Sequence, residues 1–131
     1  MSVVDTRLLG RPSTFGGAEA EWPDWSFSMR AYGAAIDAAF PGAMEVASRA
    51  TAPVLVTTLG VPEQNVARQL FFMLAMMTKG PALAIVRQAE ISGGGPNGLE
   101  AWRLLVRRYE AEASTRNAGS AATDPEPSAL S

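Results

Sequence analysis

The sequence contains neither cysteine nor histidine. Without cysteine there is no disulfide framework, no thiolate nucleophile and no zinc knuckle, and without histidine the usual general base and transition-metal ligand are missing. These absences exclude serine triads, cysteine proteases and zinc hydrolases. The carboxylates are scattered and show no Asp-x-Asp spacing, so paired acid catalysis and metal ligation have no visible support. We therefore expect no enzyme, no cofactor, no metal and no small-molecule substrate.

The chain also has little net charge and no long apolar run. Its 11 basic and 13 acidic residues give a net charge of -2, which is not typical of a nucleic-acid-binding protein. The longest apolar run near the middle, residues 69–78, is about half of the ~20 residues that a membrane span needs. The N-terminus has no basic segment followed by an apolar run of secretory length. We expect a soluble, intracellular, cytoplasmic protein without signal peptide or membrane contact.

Length and composition predict one small domain with loose ends. The 131 residues are enough for one modest core. Residues 1–20 are rich in Gly, Ser and Pro and lack periodicity, which predicts a flexible leader, although Phe15 is large enough to dock. Residues 113–131 are small, polar and proline-bearing, as in a disordered tail. The helical domain is predicted to occupy residues 21–112.

Apolar residues at intervals of three and four predict helices in the first half of the domain. The first helix is predicted to begin at Pro23 and to end near Phe40, where Pro41 and Gly42 stop it. A short second helix is predicted over residues 43–50. The uncharged segment that follows has β-branched residues but no partner strand, so a loop or a short helix is favoured over a strand.

Three further helices are predicted in the second half. The helix that starts at Pro62 is apolar over most of its circumference and is predicted to be the central one. Another runs from Pro81 to Glu90, and the last is capped by Asn97, with Glu100 completing a pair similar to a capping box. Together the segments predict an all-α fold, a small orthogonal or irregular bundle of about five helices.

The aromatic residues permit two interpretations. Either they form a stacking platform for bases or a groove for a peptide, or they are large core residues on the inward faces of the first and last helices. Helical spacing favours the core. The predicted core residues are Trp25, Met29, Tyr32, Ile36, Leu70, Met73, Leu74, Met77, Trp102, Val106 and Tyr109.

A second group of residues is predicted to contact RNA or a partner. Trp22 lies ahead of Pro23 and off the apolar stripe, so it either staples the helix entry or remains exposed as a contact residue. Met76 lies in a methionine cluster that suits an adaptable partner surface. An arginine face on the last helix, formed by Arg103, Arg107 and Arg108, is a candidate for weak binding to RNA phosphates. A solvated helix face is the alternative interpretation of the same arginines.

Two segments together resemble a known family. Residues 15–32 contain an F-x-G motif followed by a W-x-F-x-M pattern, and residues 99–110 contain an alanine and a tryptophan followed by a leucine and a tyrosine. Both patterns are similar to the Gag-like region of Copia-type (Ty1/copia) LTR retrotransposons. The matching residues are Phe15, Gly17, Trp25, Phe27, Met29, Ala101, Trp102, Leu105 and Tyr109.

This resemblance implies a non-enzymatic, helical, capsid-like domain that self-associates into a particle around element RNA. The chain lacks the Cys-His zinc knuckle and the enzymes of a full element polyprotein, so it resembles a truncated copy or a stand-alone Gag fragment. The expected partner is therefore a second copy of the chain, with RNA a possible but weak one. The alternatives are a small nucleic-acid-binding module that uses the arginine face, or an adaptor that binds another protein through its methionine-rich helix.

Overall fold

The computed structural model describes residues 12–110. These residues form five α-helices: α1 (Trp22–Ile36), α2 (Ala39–Arg49), α3 (Val61–Met77), α4 (Gly80–Ser92) and α5 (Gly98–Leu105). Short 3-10 turns lie at Glu19–Glu21 and Val56–Thr58, and a π-helical turn at Val106–Glu110 follows α5. Residues 12–110 contain no β-strand, only one isolated bridge between Phe15 and Thr78. The prediction of an all-α bundle of about five helices is confirmed.

The chain joins the core earlier than predicted. Phe15 is fully buried, its N–H donates to the carbonyl of Met77, and its own carbonyl accepts from Lys79. The predicted flexible leader is therefore wrong for the segment from residue 12 to residue 20, because a buried ring and two backbone hydrogen bonds hold that segment. Residues 1–11 of the predicted leader and the predicted tail, 113–131, lie outside the described residues.

The chain reverses between α1 and α2 instead of continuing as one helix to Phe40. The Asp37 carboxylate accepts a hydrogen bond from the Ala39 N–H at 2.8 Å and so caps the start of α2. Pro41 then falls in the first turn of α2, where its missing N–H has no intrahelical partner to lose. Proline was predicted to end the first helix, but here it opens the second.

This reversal explains why Ile36 is not a core residue. The Phe40 ring packs over Gly33 and is fully buried there. A Cβ at position 33 would lie 2.9 Å from this ring. Ile36, in the last turn of α1, is left 39% exposed. The prediction that Ile36 belongs to the core is wrong because Phe40 occupies that space.

The shortest α-helix, α5, lies at the centre of the bundle. It packs against α2, α3 and α4, and seven of its eight residues are buried. Gly98 permits this position, because a Cβ there would lie 2.3 Å from the backbone nitrogen of Phe71 on α3. The prediction that α3 is the central helix is wrong: α3 buries one face and leaves Phe72 and Met76 exposed on the other.

Most of the other predicted core residues are confirmed. Tyr32 and Val106 are half-buried and pack against the core. The fully or nearly buried residues are Trp25, Met29, Leu70, Met73, Leu74, Met77, Trp102 and Tyr109.

Between residues 12 and 110, no helix combines the length and the apolar character that crossing a bilayer demands.

Candidate functional site

Five aromatic rings form one cluster where the segment before α1, α1 itself, α5 and the π-helical turn after α5 meet. The rings of Phe15, Trp22, Trp25, Trp102 and Tyr109 make seven pairs with centroids 4.9–6.4 Å apart. Such tilted, stacked and edge-on pairs add to the stability gained from burial. All five side chains are at least 95% buried, so their faces are not available to stack on bases.

The polar edges of two tryptophans are also occupied. The indole N–H of Trp22 donates to the Glu110 carboxylate at 2.8 Å, and that of Trp25 donates to the carbonyl of Ser13 at 2.7 Å. Trp22 was predicted as a possible contact residue because it lies off the apolar stripe. That prediction is wrong, since its ring fills the space between α1 and α5.

The two segments that carry the family resemblance meet in this cluster. Gly17 has φ = 104°, and a Cβ there would lie 2.9 Å from the hydroxyl oxygen of Tyr109. A side chain at position 17 would therefore be strained by its backbone and would crowd the tyrosine. Phe27 departs from this arrangement, because it points outward and is exposed.

A buried polar network lies at the start of α5. The Asn97 side chain accepts from the Glu100 N–H at 3.0 Å, which confirms it as the helix cap, and donates to the carbonyl of Val54 at 2.7 Å. The Glu100 carboxylate accepts from the Val54 N–H at 2.7 Å instead of reaching back to Asn97. Asn97 and Glu100 thereby clamp the loop after α2 onto α5.

Arg103 completes this network and is not part of a surface. Its guanidinium makes two hydrogen bonds of 2.8 Å to the Glu100 carboxylate, and its side chain is only 7% exposed. The hydrogen bonds to Glu100 raise the pKa of Arg103, although burial acts in the opposite direction. The prediction that Arg103 contacts RNA or a partner is wrong, because both members of the ion pair are inside the protein.

The sequence carried a signal for this pair. Arg103 follows Glu100 by three residues and Leu99 by four, so it lies beside a buried position and within reach of a carboxylate. Helical spacing assigned it to the outer face, opposite the stripe of Leu99, Trp102, Val106 and Tyr109, and arginine is seldom buried unless paired. Asn97 was predicted as a cap, but its second role as a clamp on Val54 requires knowledge of the tertiary structure.

The remaining arginine face is small. Arg107 and Arg108 are exposed, as predicted. The Arg108 guanidinium lies 3.9 Å from the Glu19 carboxylate and 5.1 Å from the centroid of the Tyr109 ring. Two exposed arginines, one of them next to a carboxylate, leave little net positive potential for a polyanion.

Two apolar surface features remain uncovered by the residues that the structure describes. The first, here called the α3 stripe, consists of Phe72 and Met76, which are 49% and 68% exposed and one helical turn apart. The second, here called the α2 groove, has a volume of about 470 Å³ and lies between α2, the loop after it and the start of α3. Met76 was predicted as a possible partner contact, whereas Phe72 was not, although their four-residue spacing places them together.

The acidic side chains of the described residues do not form a metal-binding group. Between residues 12 and 110, no three Asp or Glu residues lie close enough together to hold a metal ion. Glu100, a buried carboxylate with a charged partner, already accepts hydrogen bonds from the loop and from Arg103. Comparisons with protein-family models, with curated proteins and with solved structures found no match to this chain.

Proposed function

We propose that this protein is a non-enzymatic structural protein that self-associates through its helical domain and is similar to the Gag-like region of Copia-type LTR retrotransposons. Under this proposal its partner is another copy of the same chain, and it acts in the cytoplasm without cofactor or small-molecule substrate. RNA is at most a weak partner.

One observation carries the family part of the proposal: the two resembling segments are two halves of a single core. Phe15 stacks on Trp25 at 4.9 Å and meets Tyr109 edge-on at 5.0 Å, while Trp25 lies 6.4 Å from Trp102. Two motifs that are far apart in sequence thus depend on each other in space. This dependence supports reading them as one signature of a fold and not as two chance matches.

The uncovered apolar surface supports self-association. The exposed apolar residues Phe72 and Met76 lie one turn apart on α3, and an apolar groove lies beside α2. Exposed apolar surface that is grouped, and not scattered singly, is typical of protein interaction sites. The charged groups inside the domain, Glu100 and Arg103, satisfy each other and hold the loop, so they serve the fold.

Light scattering coupled to size-exclusion chromatography tests the proposal. We expect the mean mass to rise with protein concentration, and electron microscopy of the largest fraction to show regular particles or filaments. A mass that stays at that of one chain across the accessible concentration range would remove self-association as the function. Finite dimers without larger products would retain self-association but count against a particle-forming role.

A further inference from the structure

The α3 stripe is an apolar surface that the described core does not use. The inner face of α3 is buried, with Val66, Leu70 and Met77 facing the other helices. Phe72 and Met76 lie on the outer face, exposed by 49% and 68%. An aromatic and a methionine one turn apart form the kind of anchor pair with which a helix enters a groove.

The α2 groove has the dimensions and chemistry to receive such a pair. Its volume is about 470 Å³, and its α2 wall consists of small residues with one valine. At Gly42, one of its lining residues, a Cβ would meet nothing within 4 Å, so there is open space for a larger side chain. The lining residues that matter here are Ala39, Gly42, Ala43, Val46, Leu59 and Glu63.

The charges beside the two surfaces are complementary. Arg68 lies one turn before Phe72 on the outer face of α3 and is exposed, while Glu63 lines the groove. Neither Arg68 nor Glu63 forms an ion pair with any residue between 12 and 110. Opposite charges at the rims of two surfaces orient them as they meet and disfavour the reverse arrangement.

We propose that the α3 stripe of one copy docks into the α2 groove of the next copy. This inference rests on the proposed self-association and names its interface. Glu63 and Phe72 are nine residues apart on one helix, which is two and a half turns, so the groove and the stripe face opposite ways. The stripe of one copy therefore cannot reach the groove of the same copy. The contact is heterologous, because it joins two different surfaces, and such contacts generate rings or open filaments.

Two single variants and their mixture test this interface. Met76→Glu places a charge in the stripe, and Gly42→Glu places one on the lining of the groove. Each change is on the surface, and circular dichroism checks that each variant folds. We expect each variant alone to associate at least tenfold more weakly than the wild type. Phe27→Glu and Ile91→Glu, which introduce the same charge at exposed positions on α1 and α4, are expected to associate normally.

The mixture is the decisive measurement. Met76→Glu retains an intact groove and Gly42→Glu retains an intact stripe, so an equimolar mixture should form a one-to-one dimer that grows no further. Native mass spectrometry resolves the two variants when one is isotopically labelled. A mixture that stays monomeric overturns the heterologous contact and points to a surface that pairs with itself.

A second pair of variants keeps the inference testable if a glutamate in the apolar surfaces disturbs folding. Arg68→Glu should weaken association, and mixing it with Glu63→Arg should restore the contact between the two variants. Wild-type-like association of Met76→Glu or of Arg68→Glu would overturn this interface but leave self-association standing. A strictly monomeric wild type would overturn both.

Discussion

At the scale of single residues, the most informative positions are polar ones inside the bundle. Asn97, Glu100 and Arg103 are all buried, and their side-chain hydrogen bonds tie α5 to itself, to Val54 in the loop after α2 and to Gly93 at the end of α4. A buried ion pair is seldom stabilising in comparison with well-packed apolar residues, but removing one partner leaves an uncompensated charge inside the protein. The network is therefore a point of high sensitivity.

Glu100→Gln tests this sensitivity at nearly constant shape. The amide oxygen can still accept from the Val54 N–H, but the Arg103 guanidinium loses its counter-charge while remaining buried. We expect the free energy of unfolding, measured by urea denaturation, to fall by about 3–5 kcal/mol. That is a large share of the 5–15 kcal/mol that is typical of a folded domain.

The matched control is Glu45→Gln, which breaks the exposed Glu45–Arg49 ion pair on α2. An exposed pair contributes about 0–1 kcal/mol, so the control should unfold almost as the wild type does. If Glu100→Gln and Glu45→Gln lowered the free energy of unfolding equally, burial would not be what makes the Glu100–Arg103 pair sensitive. The double variant Glu100→Gln with Arg103→Met should recover part of the loss, because it removes the unpaired charge.

At the scale of whole helices, the arrangement depends on how closely α5 approaches α3. At Gly98 a Cβ would lie 2.3–2.5 Å from backbone and Cβ atoms of Leu70 and Phe71. Backbone atoms cannot move away from a steric clash as the end of a flexible side chain can. Even the smallest side chain at this position must therefore push the two helices apart.

Gly98→Ala is accordingly expected to destabilise the domain. Overpacking in a well-packed core usually costs about 1–3 kcal/mol, and a clash with backbone should lie at or above the top of that range. Thermal and urea unfolding measure the loss. The control Gly42→Ala lies in α2 with open space around it, so it should stabilise by about 0.5–1 kcal/mol through helix propensity. A neutral Gly98→Ala would show that the α3–α5 crossing is looser than described.

The sequence predicts the helices better than it predicts their arrangement. Proline positions indicated the starts of α3 and α4 within one residue, because proline fits the first turn and the local signal suffices. Pro41 was instead predicted to end a helix, because the local sequence does not show that it lies in the first turn of α2. That position depends on Phe40 returning to the core. Periodicity likewise could not reveal that α5, with two charged residues, is more buried than the apolar α3.

The candidate surfaces show the same limit. Exposure of Met76 was anticipated as a possibility from its chemistry, but the α2 groove has no linear signature because its walls come from four segments of the chain: α2, the loop after it, the start of α3 and Leu99 on α5. Most of the residues that carry the family resemblance are core residues, and the resemblance itself stays a prediction. Of its nine positions, Phe27 is exposed and Gly17 is half-buried, whereas Phe15, Trp25, Met29, Ala101, Trp102, Leu105 and Tyr109 lie in the core.

At the scale of the whole molecule, the distribution of aromatic and basic residues bears on RNA. All three tryptophans are at least 95% buried, and Arg103 is inside, so the described surface offers Arg107 and Arg108 without an exposed tryptophan beside them. Binding through this face would be electrostatic, with no stacking of bases on indole. Such binding is weak and disappears as salt rises.

Titration with single-stranded RNA at several salt concentrations tests this expectation. Two arginines neutralise at most two phosphates, so the slope of log K against log salt should be no steeper than about -1.4. Between 50 and 200 mM salt, affinity should then fall by only about sevenfold. Tryptophan fluorescence should not change on adding RNA, and iodide should quench it little before unfolding and strongly after. A steeper slope would show that cations beyond Arg107 and Arg108 contact phosphates, and RNA-dependent quenching that salt reverses would contradict the burial of the aromatic cluster. Either result would favour a nucleic-acid-binding module over the self-associating protein proposed above.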